Sequence, residues 1–214
     1  MAIENKQSVQ CDIRKRRKED RPGEIIEAAL QEFAQKGFAA ARLEDVAKRA
    51  GIAKGTIYRY FDDKEGVFLA CMETLATPAF DELNSFLVAT QLPTRDLLKL
   101  LIHKVHSLLS EGDLPILMRI ILKEGDNFPK LTEYYYEQAV GRGRKLLKLI
   151  VERGIERGEL KANAATSLPI VILAPAMMAA IWKMTFNQQD AIPPEAFRNA
   201  HLDLVFDGIW QKPD

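Results

Sequence analysis

The residues best placed to do chemistry lie between positions 42 and 64. Arg42, Lys54, Gly55, Thr56, Tyr58, Arg59, Tyr60 and Lys64 concentrate cations, hydroxyls and one glycine in a short stretch. No acid stands between Lys54 and Phe61. Groups of this kind donate hydrogen bonds and offer positive charge, which suits phosphate oxygens and base edges. Lys54 and Thr56 can reach base edges or nearby phosphates, and Gly55 has no side chain to hold the backbone off a duplex. Tyr58 and Lys64 are placed for phosphate. Arg42 is a further phosphate or groove candidate.

These side chains need a rigid mount. The segment from Leu43 to Phe61 reads Leu-Glu-Asp-Val-Ala-Lys-Arg-Ala-Gly-Ile-Ala-Lys-Gly-Thr-Ile-Tyr-Arg-Tyr-Phe. It fits two short helices crossing steeply over a tight turn. Ala47 is small where the helices cross. Gly51 marks the stop, where a left-handed conformation is cheap. Val46, Ile52 and Ile57 plug the core. This is the pattern of a helix-turn-helix whose second helix enters the major groove. The same small-Gly-apolar spacing also fits a helical hairpin inside a bundle, and the exposed basic face argues for DNA.

The rest of the chain reads as helices with Gly, Pro, Asn and Asp between them, and no segment alternates convincingly with period two. Helices are expected at about 22–36, 43–50, 53–60, 64–76, 79–91, 94–110, 114–124, 129–157, 164–187 and 193–211. The fold class is all-α, with a three-helix DNA-binding domain ahead of a larger helical domain, about nine to ten helices in total. The domains divide as an arm over 1–20, a DNA-binding domain over 21–81 with its motif at about 44–63, and a helical domain over 82–214. The arm carries Arg14-Lys15-Arg16-Arg17-Lys18; it is either a solvated tail or a basic arm on DNA. The formal net charge of zero is a cancellation. Residues 1–64 hold fourteen Lys/Arg against eleven Asp/Glu, so the acidic excess lies behind them.

The front of the chain resembles the tetracycline-repressor (TetR) family of bacterial regulators. The resemblance rests on Ala28-Ala29, Phe33, Gly37-Phe38, Leu43-Glu44-Asp45-Val46-Ala47, Ala50-Gly51-Ile52, Lys54-Gly55-Thr56-Ile57-Tyr58, Tyr60-Phe61 and Lys64. It implies a recognition helix beginning near Ala53, with Tyr58 and Lys64 on phosphates. It also implies a homodimer on a palindromic operator, released when a small molecule binds the rear domain. Repression is the family default, and activation is the alternative. Ala41 and Ala53 depart from the pattern, standing where Thr and Ser are usual. Each missing hydroxyl would cap a helix or bond a phosphate.

In the rear domain, polar and aromatic residues on apolar helices are candidates to orient an effector. They are His103, His106, Arg119, Tyr135, Met178 and Trp182. The small residues near Ala176, Met177, Ala180 and Ile181 fit either intramolecular core or a two-fold interface with a second copy. His103 and His106 stand three apart, yet without a Cys or carboxylate partner they form no metal signature. No catalytic residue is assigned: there is no Gly-rich phosphate loop after a strand and no Gly-x-Ser-x-Gly elbow, and no cofactor is expected. A protein-binding helical scaffold is the remote alternative. Residues 1–20 lack an apolar signal core, and the apolar run near 167–186 is broken by two prolines and Lys183. A cytoplasmic, nucleoid-associated location is therefore expected, with no membrane partner. Cys11 and Cys71 fit unpaired thiols in a reducing compartment.

Overall fold

A computed structural model describes residues 20–209, excepting the side chains of 87–89, 164, 208 and 209. The basic run at 14–18 and Cys11 lie outside the described residues. The elements are α1 (Arg21–Ala40), α2 (Leu43–Arg49), α3 (Lys54–Ile57), α4 (Lys64–Ala89), α5 (Thr94–Ser110) and α6 (Leu114–Glu124). After α7 (Pro129–Tyr135) comes a π turn, Tyr136–Val140, and then α8 (Gly141–Glu156). The chain ends with α9 (Ala164–Ser167), a 3-10 turn (Pro169–Leu173), α10 (Ala174–Thr185) and α11 (Pro194–Ile209). Among the described residues no strand element occurs.

The chain folds as two compact units. Of the described residues, the first holds 20–71 together with Ile120–Leu131. The second holds Met72–Arg119 together with residues 132–209.

The core of the first unit begins with the apolar stripe of α1. Ile25, Ala29 and Phe33 are buried at helical spacing, and Ile57 and Val67 close over them. Phe33, Phe38 and Phe68 make an aromatic cluster, with ring centroids 5.6–6.1 Å apart. Phe128 meets Phe38 edge-on at 4.9 Å. Glu32, on the buried side of α1, is paired with Lys36 at 2.5 Å and with Arg49 of α2 at 3.2 Å. The second unit is built on α5, whose Leu97, Leu98, Leu101, Ile102, Val105 and Leu109 are buried. Helices α8, α10 and α11 pack against it.

Four element boundaries differ from the sequence expectations. The α1 run continues past Lys36 to Ala40, but Gly37 at φ +75° and ψ 179° breaks its helical path. The stop at Gly37 is real, and a further short turn follows it. The α-helix of α3 ends at Ile57, and the chain from Tyr58 to Tyr60 is turn. Pro78 does not end a helix: α4 runs through it, held by buried Met72, Ala76, Ala79 and Phe80 on both sides. The expected helix at 164–187 is broken twice. Pro169 opens a 3-10 turn and Pro175 sits in the first turn of α10, where a missing N–H costs nothing.

Phe38 touches three other rings and is 1% exposed. Phe38→Ala is expected to cost about 3–5 kcal/mol, read by urea denaturation. A loss below about 1 kcal/mol would show that the cluster does not hold this unit together.

Candidate nucleic-acid interface and ligand cavity

Helix α2 ends at Gly51, which adopts φ +66°. The amide of Ile52 donates to Ala47 O at 2.9 Å and turns the chain back. Ala47 is buried at the crossing and Ile57 is fully buried beneath α3. What remains outside is Arg42, Lys54, Gly55, Tyr58 and Arg59, with Thr56 and Tyr60 half-buried. A Cβ built on Gly55 would meet nothing within 4 Å, so open space lies over the start of α3. Tyr58 is 48% exposed, and the Lys54 ammonium lies 5.5 Å from its ring centre.

Two cations are already engaged. Lys54 forms an ion pair with Glu44 of α2. That contact raises the lysine's pKa and lowers the carboxylate's. Lys64 donates to the carbonyls of Phe38, Ala39 and Ala41 at 2.6, 3.2 and 2.9 Å, and lies 4.4 Å from the Phe38 ring centre. Burial pushes its pKa down. Sequence reasoning put Lys64 on phosphate; in the structure its ammonium faces carbonyls of the chain that leads from Gly37 to α2. Ala41 also sits differently from its expected place at a helix start. Arg42 is the N-cap of α2, and Ala41 is a buried residue before it. Neither Arg42 nor Ala53 makes a side-chain cap hydrogen bond.

Sequence reasoning missed Glu124, the last residue of α6. Its two carboxylate oxygens accept from the amides of Phe38 at 2.9 Å and Ala39 at 2.6 Å. A Cβ at Gly37 would lie 2.5 Å from Glu124 Oε1. Gly37 is therefore required both for its positive φ and for room. No local pattern links positions 38 and 124.

The second unit contains a cavity of about 580 Å³, within the range of small-molecule sites (roughly 300–1,000 Å³). Its walls come from α4, α5, α6, the helical run 135–144, the 3-10 turn and α10. The π turn shapes one wall. The Gly141 amide donates to Tyr136 O, five residues back. The extra residue brings Tyr135, Ala139, Val140, Gly143 and Arg144 onto one side. Tyr135 is buried, and burial pushes its phenol up to about 12, so the hydroxyl stays protonated.

Of the effector candidates, Tyr135 and Met178 are in the cavity wall. Arg119 is exposed on α6, and Trp182 donates to Asp190 O at 2.8 Å while its ring meets Phe186. His103 lies on a separate polar groove with Glu82 and Arg198. His106 is buried beside His201, Nε2 to Nδ1 at 3.0 Å, and His201 Nε2 is 2.6 Å from Ile172 O. A carbonyl only accepts, so His201 carries its proton on Nε2 and accepts from His106 on Nδ1. His106 Nδ1 is then a bare acceptor with no partner among the described residues. Burial first, then His201, Arg198 and His103, bring its pKa down to about 4. His201 is lowered as well, by burial.

The dimer candidates divide. Ala176 and Ala180 are fully buried within one chain, where their small side chains let α10 approach α5. Of the two alternatives the sequence offered for them, intramolecular core and an interface with a second copy, this burial favours the first. Met177 and Ile181 belong to the cavity wall. Among the described residues, no cluster of three or more His, Cys, Asp or Glu could hold a metal, and no helix is long and apolar enough to cross a membrane.

Both histidines resist protonation in the fold and accept it freely when unfolded. Stability is therefore full above the ordinary histidine pKa and declines as pH falls below about 6.5. His106→Gln keeps a donor toward His201 and removes the titration. Its melting temperature is expected to fall less than the wild type's between pH 6.5 and 5. Equal slopes would show that His106 does not contribute to the acid sensitivity of the fold.

Residues 25–71 match the family model of bacterial regulatory proteins of the tetR family, and residues 96–205 match that of the AefR-like transcriptional repressor C-terminal domain. The chain is 26% identical over 192 residues to the fatty acid metabolism regulator protein of Bacillus subtilis, covering 88% of this chain and 95% of that one. The solved structure of the transcriptional regulator FadR from Bacillus subtilis, in complex with stearoyl-CoA, superposes with a TM-score of 0.71 at 23% identity, covering 86% and 97% of the two chains. A transcriptional regulator from Saccharomonospora viridis in complex with choline gives a TM-score of 0.74 at 20% identity, covering 91% and 100%. With both halves matched and the helix-turn-helix formed, the chain belongs to the TetR family of DNA-binding transcriptional regulators.

Proposed function

We propose that this protein is a repressor that binds a palindromic operator as a homodimer and leaves it when a small molecule occupies the second unit. The observation that carries the reading is the pairing of an exposed, carboxylate-free α3 with an apolar cavity in the same chain. Tyr58 and Arg59 approach phosphates, Lys54 and Thr56 reach the groove, and Gly55 admits the backbone to it. Lys54 exchanges Glu44 for DNA on binding. Lys64 acts indirectly, by fixing the carbonyls that precede α2. The two recognition helices of a dimer would meet half-sites about 34–36 Å apart.

The dimer reading rests on exposed apolar residues of the last two long helices. Leu204 of α11 is 65% exposed, and Phe186, just past α10, is 47% exposed. These replace Ala176 and Ala180 as the residues offered to a second copy. Helices α4 and α6 are each divided between the two units: α4 runs from Lys64 to Phe80 in the cavity wall and beyond, and α6 runs from Leu114 in that wall to Glu124. They are the routes by which occupancy of the cavity would shift the population of DNA-competent conformers. The Bacillus and Saccharomonospora structures hold stearoyl-CoA and choline, so relatives of one fold bind unlike ligands. Such a regulator works on DNA in the cytoplasm, at the nucleoid.

Selection of DNA from a random pool by the full chain is expected to return a short palindrome. On that DNA, Tyr58→Ala is expected to weaken binding about tenfold, the value of one hydrogen bond to a charged group. Lys54→Ala should reduce the slope of log K against log salt by about one. Unchanged affinity and slope in both variants would show that α3 is not the DNA-reading element. Sedimentation at micromolar concentration should give a dimer, and a monomer would remove the two-fold reading.

A further inference from the structure

The cavity's polar content is small and specific. Among its wall residues only Tyr135 and Arg144 carry a polar or charged side-chain group, and no carboxylate, amide or imidazole joins them. Tyr135 is 6% exposed, and among the described residues no protein group hydrogen-bonds its hydroxyl. The hydroxyl oxygen itself keeps some exposure, so it opens into the cavity and is free to donate to a ligand there. Arg144 is exposed and is the only charged residue of the wall. Its Nη1 donates to Tyr136 Oη at 3.1 Å, and no acid pairs with it among the described residues. The rest of its planar fork is open to an anion.

From this arrangement we propose that the cavity binds a single long acyl chain whose carbonyl is read by Tyr135 and whose negative charge is read by Arg144. The inference rests on the effector reading above and names its ligand class. A cation would lose its hydration with no carboxylate to replace it, and a sugar would leave hydroxyls unpaired. Volume fixes the scale. At roughly 30 Å³ per methylene-sized unit, about 580 Å³ takes a chain of about fifteen to twenty such units. Met177 and Met178 at the exposed rim are unbranched and polarizable, which lets one wall fit several chain lengths. The free carboxylate and the acyl thioester of a phosphate-bearing carrier share this chemistry.

The test is calorimetric titration of the full chain with laurate, lauroyl-CoA, dodecyltrimethylammonium and cholate. Laurate or lauroyl-CoA is expected to bind at least about tenfold tighter than the cation of equal chain length. Affinity should rise with acyl length from C8 to C16, by up to about fourfold per methylene. Arg144→Gln should erase the preference for anion over cation. Tyr135→Phe should weaken both acyl probes about tenfold and leave the cation unchanged. Laurate binding better than lauroyl-CoA identifies the free acid, and the reverse identifies the thioester; both support the proposal. Equal binding of the cation, or cholate binding where neither acyl probe does, overturns it. Ala139→Phe, which fills the cavity beside Tyr135, should abolish acyl binding, with circular dichroism reporting whether the fold persists. If that variant folds and still binds laurate, the proposal falls. Operator binding is measured alongside by gel shift without ligand. Operator binding with no acyl binding overturns this inference and leaves the regulator reading in place. Acyl binding without specific DNA binding supports the inference and overturns the regulator reading instead.

Discussion

The backbone that leads from Gly37 to α2 is held between a carboxylate and an ammonium. Gly37 turns the chain out of α1 at positive φ, and the amides of Phe38 and Ala39 then face the Glu124 carboxylate. The carbonyls of Phe38, Ala39 and Ala41 face the Lys64 ammonium. Hydrogen bonds to charged groups contribute about 1.5–3 kcal/mol each. Here they satisfy peptide groups that a helix end would otherwise leave unpaired. The Phe38 ring below them meets Phe33, Phe68 and Phe128. The chain leaves this clamp directly into Arg42 and α2, so the direction of the helix-turn-helix is set by it.

The clamp gives α6 two duties. Its first residue, Leu114, lines the ligand cavity, and its last, Glu124, holds the backbone that leads to the recognition helix. In the cavity the π turn plays a comparable part. One extra residue per turn brings both Tyr135 and Arg144 to the same wall, and with them the two polar groups of the site. The His106–His201 pair supports that wall from behind by fixing Ile172 O, between the lining residues Val171 and Leu173.

What the sequence made legible was local. Gly37 and Gly51 could be read as stops because positive φ favours glycine, and both adopt it. Ala47 and Ile57 could be read as buried from helical spacing alone. Long-range outcomes could not be read. Glu124 and Phe38 are 86 positions apart and share no periodicity. The small residues Ala176 and Ala180 announced a close helix approach, yet composition did not say whether α5 or a second copy was the neighbour. Polar residues on apolar helices were the only signal for the cavity. That signal does not say which way a side chain faces, so Tyr135 and Met178 line the cavity while His106 faces His201 and Trp182 donates to Asp190 O. Pro78 looked like a helix end, and packing on both sides of it kept the helix intact.

Glu124 holds the chain that leads into the helix-turn-helix through the amides of Phe38 and Ala39. Hydrogen exchange at those two amides tests it most directly, compared between the wild type and Glu124→Gln alongside operator affinity. Both amides are expected to lose protection in the variant and operator affinity to fall with them, while α1 amides before Gly37 stay protected. Loss of protection at Phe38 and Ala39 with operator affinity unchanged would contradict it.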